Sequence, residues 1–198
     1  MTETSNTAPT PRPTAAGKRG VPIWAQLIVW TVLIALLVLV GITLNKRQQG
    51  TVQPGDEIPD FTLPLFSDYP YAGKTEVKLS ELRGKVVVMN FWASWCKPCE
   101  QEAAELEEAW KFYEKDGKVV FLGADYVDTE PEARAYLKKF GITFANGPDM
   151  GTKISQMFRI RGVPETYFID QDGVLQYVKV GPFASVDEIK SIVDGLLE

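Results

Sequence analysis

Apolar and polar positions divide this chain into two regimes. From Ile23 to Leu44 (IWAQLIVWTVLIALLVLVGITL), 22 consecutive positions carry no charge. Beyond Gly50, short apolar runs alternate with polar and turn residues. As a helix rising about 1.5 Å per residue, the first stretch spans roughly 33 Å, and a bilayer core is about 30 Å thick. A core helix of that length would carry a polar face, and this run has none. The pattern predicts a single transmembrane anchor over residues 21–44. A cleaved signal peptide is the nearest alternative, but its apolar region covers only about 7–15 residues and ends in small residues. Here the run passes directly into Asn45-Lys46-Arg47-Gln48-Gln49, which favours an uncleaved signal-anchor. Arg12, Lys18 and Arg19 precede it and Lys46 and Arg47 follow, a small excess that leans toward a cytoplasmic N-terminus. Residues 1–20, rich in Thr, Pro, Ala and Ser, read as a disordered tail, and residues 45–57 as a polar linker.

Residues 58–198 have the pattern of an α/β domain. Phe61–Leu63 and Glu76–Leu79 read as short strands around a loop, and Ser80–Gly84 as a turn. Lys85–Phe91 and Lys118–Ala124 are near-continuous apolar runs, the mark of strands buried on both faces. Between them, Pro98–Glu114 places Ala103, Leu106, Ala109, Trp110 and Tyr113 on one helical face. A second helix is predicted over Glu130–Phe140, with Pro131 in its first turn, and a shorter one over Lys153–Phe158. Glu165–Ile169, the turn Asp170–Gly173 and Val174–Val180 form a hairpin. Ser185–Leu197 closes the chain as an amphipathic helix with Ser185 as N-cap. This order predicts a mixed central sheet with helices on both faces.

Composition then narrows the chemistry. The chain has no histidine, which removes the commonest general base, the commonest metal ligand and every His-based triad. From Thr51 onward there are 16 basic and 25 acidic side chains, a net charge of −9. Nucleic-acid binding wants a basic face, so no nucleic-acid partner is expected.

The two cysteines, Cys96 and Cys99, both lie in FWASWCKPCEQE. They follow a predicted buried strand and open a helix. A helix start offers unpaired amide donors and roughly half a positive charge, which stabilise a thiolate. Cys96 is therefore the expected nucleophile, with Lys97 adding a further push. Pro98 is tolerated in the first turn, where its missing N–H is not needed. Cys99, one turn inside, is placed to attack a mixed disulfide on Cys96. A structural staple between residues three apart would stabilise little. A metal clamp lacks two further ligands, which leaves two-thiolate Cu(I) as the only metal alternative. The reducing cytosol and oxidising exterior mean that a dithiol held outside needs electrons or oxidant from other proteins.

KVVVMNFWASWCKPCEQE, together with GVPETYFIDQDG and the N-terminal anchor, resembles the membrane-anchored thiol-disulfide oxidoreductases of the TlpA/ResA/DsbE type, which have a thioredoxin-like fold and serve cytochrome c maturation. The resemblance implies Cys96 as attacking thiol and Cys99 as resolving thiol, with a redox-active disulfide between them and no soluble cofactor or metal. It implies that Val163-Pro164 is a cis-proline segment facing the dithiol, able to pair with an extended substrate strand. Thioredoxins carry a buried Asp where this chain has Asn90, and the resemblance assigns proton handling to Glu102 instead. Glu165, after the proline, is expected to steer a basic substrate segment or to sit at the rim, and Trp95 to form part of a substrate lip. Phe91 and Trp92 read as packing residues. An apocytochrome c is the implied substrate, a CcdA/DsbD-type membrane carrier the electron donor, and the extracytoplasmic or periplasmic face of the cell membrane the location. Three alternatives share parts of the pattern: a broad-range extracytoplasmic reductase, a Cu(I)-handling assembly protein, and a peroxiredoxin, whose P-x-x-x-T-x-x-C loop is absent around Cys96.

Overall fold

The computed structural model describes residues 22–48 and 52–198. The tail expected over residues 1–20 and the middle of the expected linker, residues 49–51, lie outside the described residues. Helix α1, Ile23–Gln48, is continuous and runs past the apolar stretch. Its segment Ile23–Gly41 has 19 residues with a mean hydropathy of 2.6, and none of it is buried. At about 28 Å it is long and apolar enough to cross a bilayer.

In the domain, β3 (Val86–Trp92) is the central strand of a five-stranded sheet. It pairs in parallel with β4 (Val119–Asp125) and antiparallel with β6 (Glu165–Ile169). Outside β4 runs β5 (Ala145–Pro148), and outside β6 runs β7 (Leu175–Val180), so the order is β5-β4-β3-β6-β7. All seven residues of β3 and of β4 are buried, as their unbroken apolar runs require.

The pleat of β3 splits the core in two. Val86, Val88 and Trp92 face a cluster built with α2 (Lys97–Tyr113), α3 (Glu130–Phe140) and α5 (Val186–Leu197). Val87, Met89 and Phe91 face the opposite cluster. That one includes Leu63 of β1 (Thr62–Pro64), Val77 of β2 (Glu76–Lys78) and Phe158 of α4 (Lys153–Phe158). This is a thioredoxin-like α/β fold with a mixed sheet covered on both faces. Ser185 caps α5 as expected, accepting the Glu188 amide at 3.4 Å.

Strand β5 was not predicted, because Asn146-Gly147-Pro148 has the composition of a turn. It forms a strand because the segment after β1 covers its outer edge. Phe66 N–H donates to the Asn146 carbonyl at 2.9 Å, and Asn146 N–H donates to the Tyr69 carbonyl at 3.3 Å. Gly147 is required by that close approach, since a Cβ there would sit 1.7 Å from the Pro64 carbonyl oxygen. We therefore expect Gly147→Ala to push backbone against backbone and destabilise the domain by about 1–3 kcal/mol. A lowered urea midpoint at unchanged slope would show this; an unchanged midpoint would mean that the β1–β5 contact relaxes freely.

Candidate functional site

Strand β3 delivers the chain to the dithiol from a tightly held base. Trp92 donates its indole N–H to Asn146 Oδ1 at 2.8 Å and stacks on Tyr136. Gly123 makes room for this pair, because a Cβ there would meet Asn146 Oδ1 at 1.7 Å. Beyond the strand, the Ser94 amide donates to Asp128 Oδ2 at 2.6 Å, and Trp95 donates its indole N–H to the Val127 carbonyl at 3.0 Å. Trp95 itself is 57% exposed beside the cysteines.

Cys96 is the N-cap of α2, with Pro98 in the first turn. Its Sγ accepts the Cys99 amide at 3.1 Å, taking the place that a Ser or Asp oxygen occupies in an ordinary cap. Cys96 and Cys99 are joined in a disulfide, with Cα atoms 5.3 Å apart, and both are buried.

Glu102, one turn beyond Cys99, is not a solvated helix residue. It is 1% exposed, and its carboxylate is held by two donors: Asn90 Nδ2 at 2.9 Å on Oε1 and the Phe183 amide at 3.2 Å on Oε2. Burial pushes its carboxyl up to about 7, although both donors favour the ionised form. About 10 Å³ of space lies among Asn90, Cys99, Glu102 and Asn146. The carboxyl and the inner cysteine thus border one small void whose other walls, among them Ala103, Leu106 and Leu137, are mainly apolar.

The other expected site residues separate into two groups. The Val163–Pro164 bond is cis, as the resemblance implies. Phe91 pairs with Glu165 at the start of β6, so the cis-proline immediately precedes the strand that lies beside β3. Val163 packs against the core cluster that contains both cysteines. Lys97 and Glu165 behave differently. The Lys97 ammonium lies 3.3 Å from Glu100 Oε1 on the exposed side of α2, so its charge is paired there instead of being directed at Cys96. Glu165 corrects the expectation of a rim or steering residue, because it is buried. Its Oε1 accepts the amides of Arg161 at 2.8 Å and Gly162 at 3.2 Å, and its Oε2 accepts the Tyr167 hydroxyl at 2.7 Å. It ties down the loop that enters Pro164.

Two features escaped the sequence reading. Asn90 also donates to Thr166 Oγ1 at 2.9 Å, which makes it the junction of β3, β6 and α2. Asp125, at the end of β4, is a buried acid facing Asp128 and Asp149. The signal for both was a polar residue inside an otherwise apolar strand, VVVMNFW and VVFLGAD.

This geometry has known counterparts. Residues 54–178 match the AhpC/TSA family. The thiol-disulfide oxidoreductase ResA of Bacillus cereus is 31% identical over 171 residues, covering 84% of this chain and 91% of that protein. The thioredoxin-like protein YneN of Bacillus subtilis is 33% identical over 162 residues, covering 77% and 89%. A thiol:disulfide interchange protein of the thioredoxin family from Chlorobium tepidum superposes with a TM-score of 0.63 at 25% identity, over 74% of this chain and 98% of that one. A disulfide capping the helix after the central strand, inside a domain matched along most of its length, places the chain in the AhpC/TSA family, among the thiol-disulfide oxidoreductases of the ResA type.

Proposed function

We propose that this chain is a membrane-tethered reductase of protein disulfides outside the cytoplasm, and that its substrate is the oxidised CxxCH motif of an apocytochrome c. A membrane electron carrier of the CcdA/DsbD type supplies its electrons, and no soluble cofactor takes part. Helix α1 supports the tether, and the likeness to ResA-type thiol-disulfide oxidoreductases supports the chemistry. The observation that carries the reading is the Cys96–Cys99 disulfide at the start of α2 with the Glu102 carboxyl buried behind it.

In the reduced enzyme, the amides of the first turn stabilise Cys96 as thiolate. The thiolate attacks one sulfur of the substrate disulfide, forming a mixed disulfide and releasing the other sulfur as thiolate. Cys99 then gives its proton to the Glu102 carboxylate and attacks the Cys96 sulfur. The second substrate sulfur leaves, and the Cys96–Cys99 disulfide seen here is restored. Two electrons have passed from the dithiol to the substrate, and the membrane carrier returns them. Val163, beside the cis-proline, offers backbone to an extended substrate strand, and Trp95 and Pro98 border the place where it would lie.

Trapping tests the substrate. Cys99→Ala in membranes should hold the mixed disulfide on Cys96, and apocytochromes c should be recovered from it; Cys96→Ala should trap nothing. Recovery of many unrelated exported proteins would replace the specific substrate with a broad range.

Glu102 gives a second test, with two opposite pH trends. As a base it acts only when ionised, so turnover should rise with pH through about 7. Glu102→Gln should remove that limb and slow turnover by about 10²-fold at pH 8. Stability runs the other way. A carboxyl raised from 4.5 to about 7 makes the folded protein the tighter proton binder, so stability is lost as pH rises across that interval. The loss is of order 3 kcal/mol, and Glu102→Gln should not show it in urea unfolding at the two ends of the range. A variant with both wild-type trends would exclude the role.

A further inference from the structure

A second built feature lies beside the dithiol, at the carboxyl ends of β4 and β5. Asp125 closes β4 and is 4% exposed, and its Oδ1 is buried and meets no hydrogen-bond donor among the described residues. Its neighbours are acids. Asp128 lies against it carboxyl to carboxyl, and Asp149 adds a further negative charge. Those two are anchored by backbone amides: Asp128 by Ser94 at 2.6 Å and Thr129 at 2.7 Å, Asp149 by Ile154 at 2.9 Å and Ser155 at 2.8 Å. Asp125 Oδ1 lacks such an anchor. A buried acceptor left without a donor costs about 1–3 kcal/mol. Two carboxyls in contact either hold a proton between them or receive a cation. Burial and the two neighbouring acids accordingly push the Asp125 carboxyl up to about 8.

The three acids line an open pocket of about 270 Å³ whose other walls include Val127, Pro148 and Met150. Val127 and Met150 are exposed, Met150 at 64%. Apolar walls above an acidic floor match an aliphatic stem that ends in a cation, the form of a lysine or arginine side chain. A metal ion fits less well, because among the described residues no three such donors converge as ligands. The pocket is joined to the redox loop at two points. Asp128 receives the amide of Ser94, and the Val127 carbonyl receives the indole of Trp95, two residues and one residue before Cys96. A side chain seated there would lie against the segment that leads into Cys96.

We propose that the Asp125–Asp128–Asp149 pocket receives a lysine or arginine side chain of the protein substrate, close in sequence to the disulfide being reduced, and so selects basic substrate segments. The proposal rests on the oxidoreductase reading and adds a specificity site to it. Asp125 and Met150 act here on substrate choice, away from the sulfur chemistry.

The test uses the reduced full-length chain in detergent and two oxidised CxxC peptides that differ only in carrying lysine or norleucine next to the cysteines. The lysine peptide should be reduced with a kcat/KM about tenfold higher, the difference residing in KM. That ratio should fall to about one in Asp125→Asn. It should fall likewise in Met150→Lys, which brings a tethered ammonium to the mouth of the pocket from an exposed position where folding is not at stake. Equal wild-type rates for the two peptides would overturn the pocket and leave the reductase reading standing. A lysine preference that survives in both variants would overturn it as well, assigning the preference to the general negative charge of the domain. If neither peptide is reduced, the oxidoreductase reading falls and the pocket falls with it.

Discussion

The hydrogen bond from Asn90 to Glu102 holds the site together. Asn90 sits in the middle of a strand buried on both faces, where an amide without partners would be costly. It is tolerated because its side-chain N–H groups reach Glu102 on α2 and Thr166 on β6. Glu102, through its second oxygen, takes the Phe183 amide just before α5. One buried polar node therefore ties the central strand, its antiparallel neighbour, the helix that carries the dithiol and the approach to the last helix. The same bonds keep the carboxyl within one small void of Cys99. Removing either partner would leave buried donors or a buried charge unmatched, so structure and proton chemistry depend on a single arrangement.

Much of the fold was legible because burial writes itself into apolar runs. VVVMNFW and VVFLGAD read as central strands, and the helical spacing of Ala103, Leu106 and Ala109 read as the face of α2 that packs on them. The dithiol was legible because CKPC between a buried strand and a helix has few other uses. Strand β5 was not, because its residues are chosen for contact with another segment: Gly147 for the approach of Pro64, Asn146 for the Trp92 indole. Local propensity reads such residues as a turn, and only the tertiary partner shows otherwise. Glu165 failed for a related reason. Adjacency to Pro164 suggested the surface, but three neighbouring donors, the Arg161 and Gly162 amides and the Tyr167 hydroxyl, draw its carboxylate inward. A single sequence cannot show whether an acid has donors waiting for it.

That same distinction separates the two raised carboxyls beside the dithiol. Glu102 is enclosed and supplied with two donors, so its ionised form is kept within reach despite burial. Such a group can take and return a proton without rearrangement, which is what the resolution step proposed for Cys99 demands. Asp125 is buried without a donor on Oδ1 and faces other acids. Unless a cation is brought from outside, it holds a proton against Asp128, which fits the recognition role proposed for it better than a role in proton transfer.

The two carboxyls are placed on different sides of the dithiol, as the two roles proposed for them require. Glu102 approaches the disulfide from the core side, through α2, where substrate cannot reach. Asp125 pairs with Trp92 at the end of β3, and the segment after it meets the loop before Cys96 through Ser94 on Asp128 and Trp95 on the Val127 carbonyl. In the proposed reading, a basic side chain seated against Asp128 would bear on the position of Cys96 through the Ser94–Trp95 segment. On these proposed roles, recognition on the Asp125 side and proton transfer on the Glu102 side rest on different neighbours: Asp128 and Asp149 for the one, Asn90 and the Phe183 amide for the other.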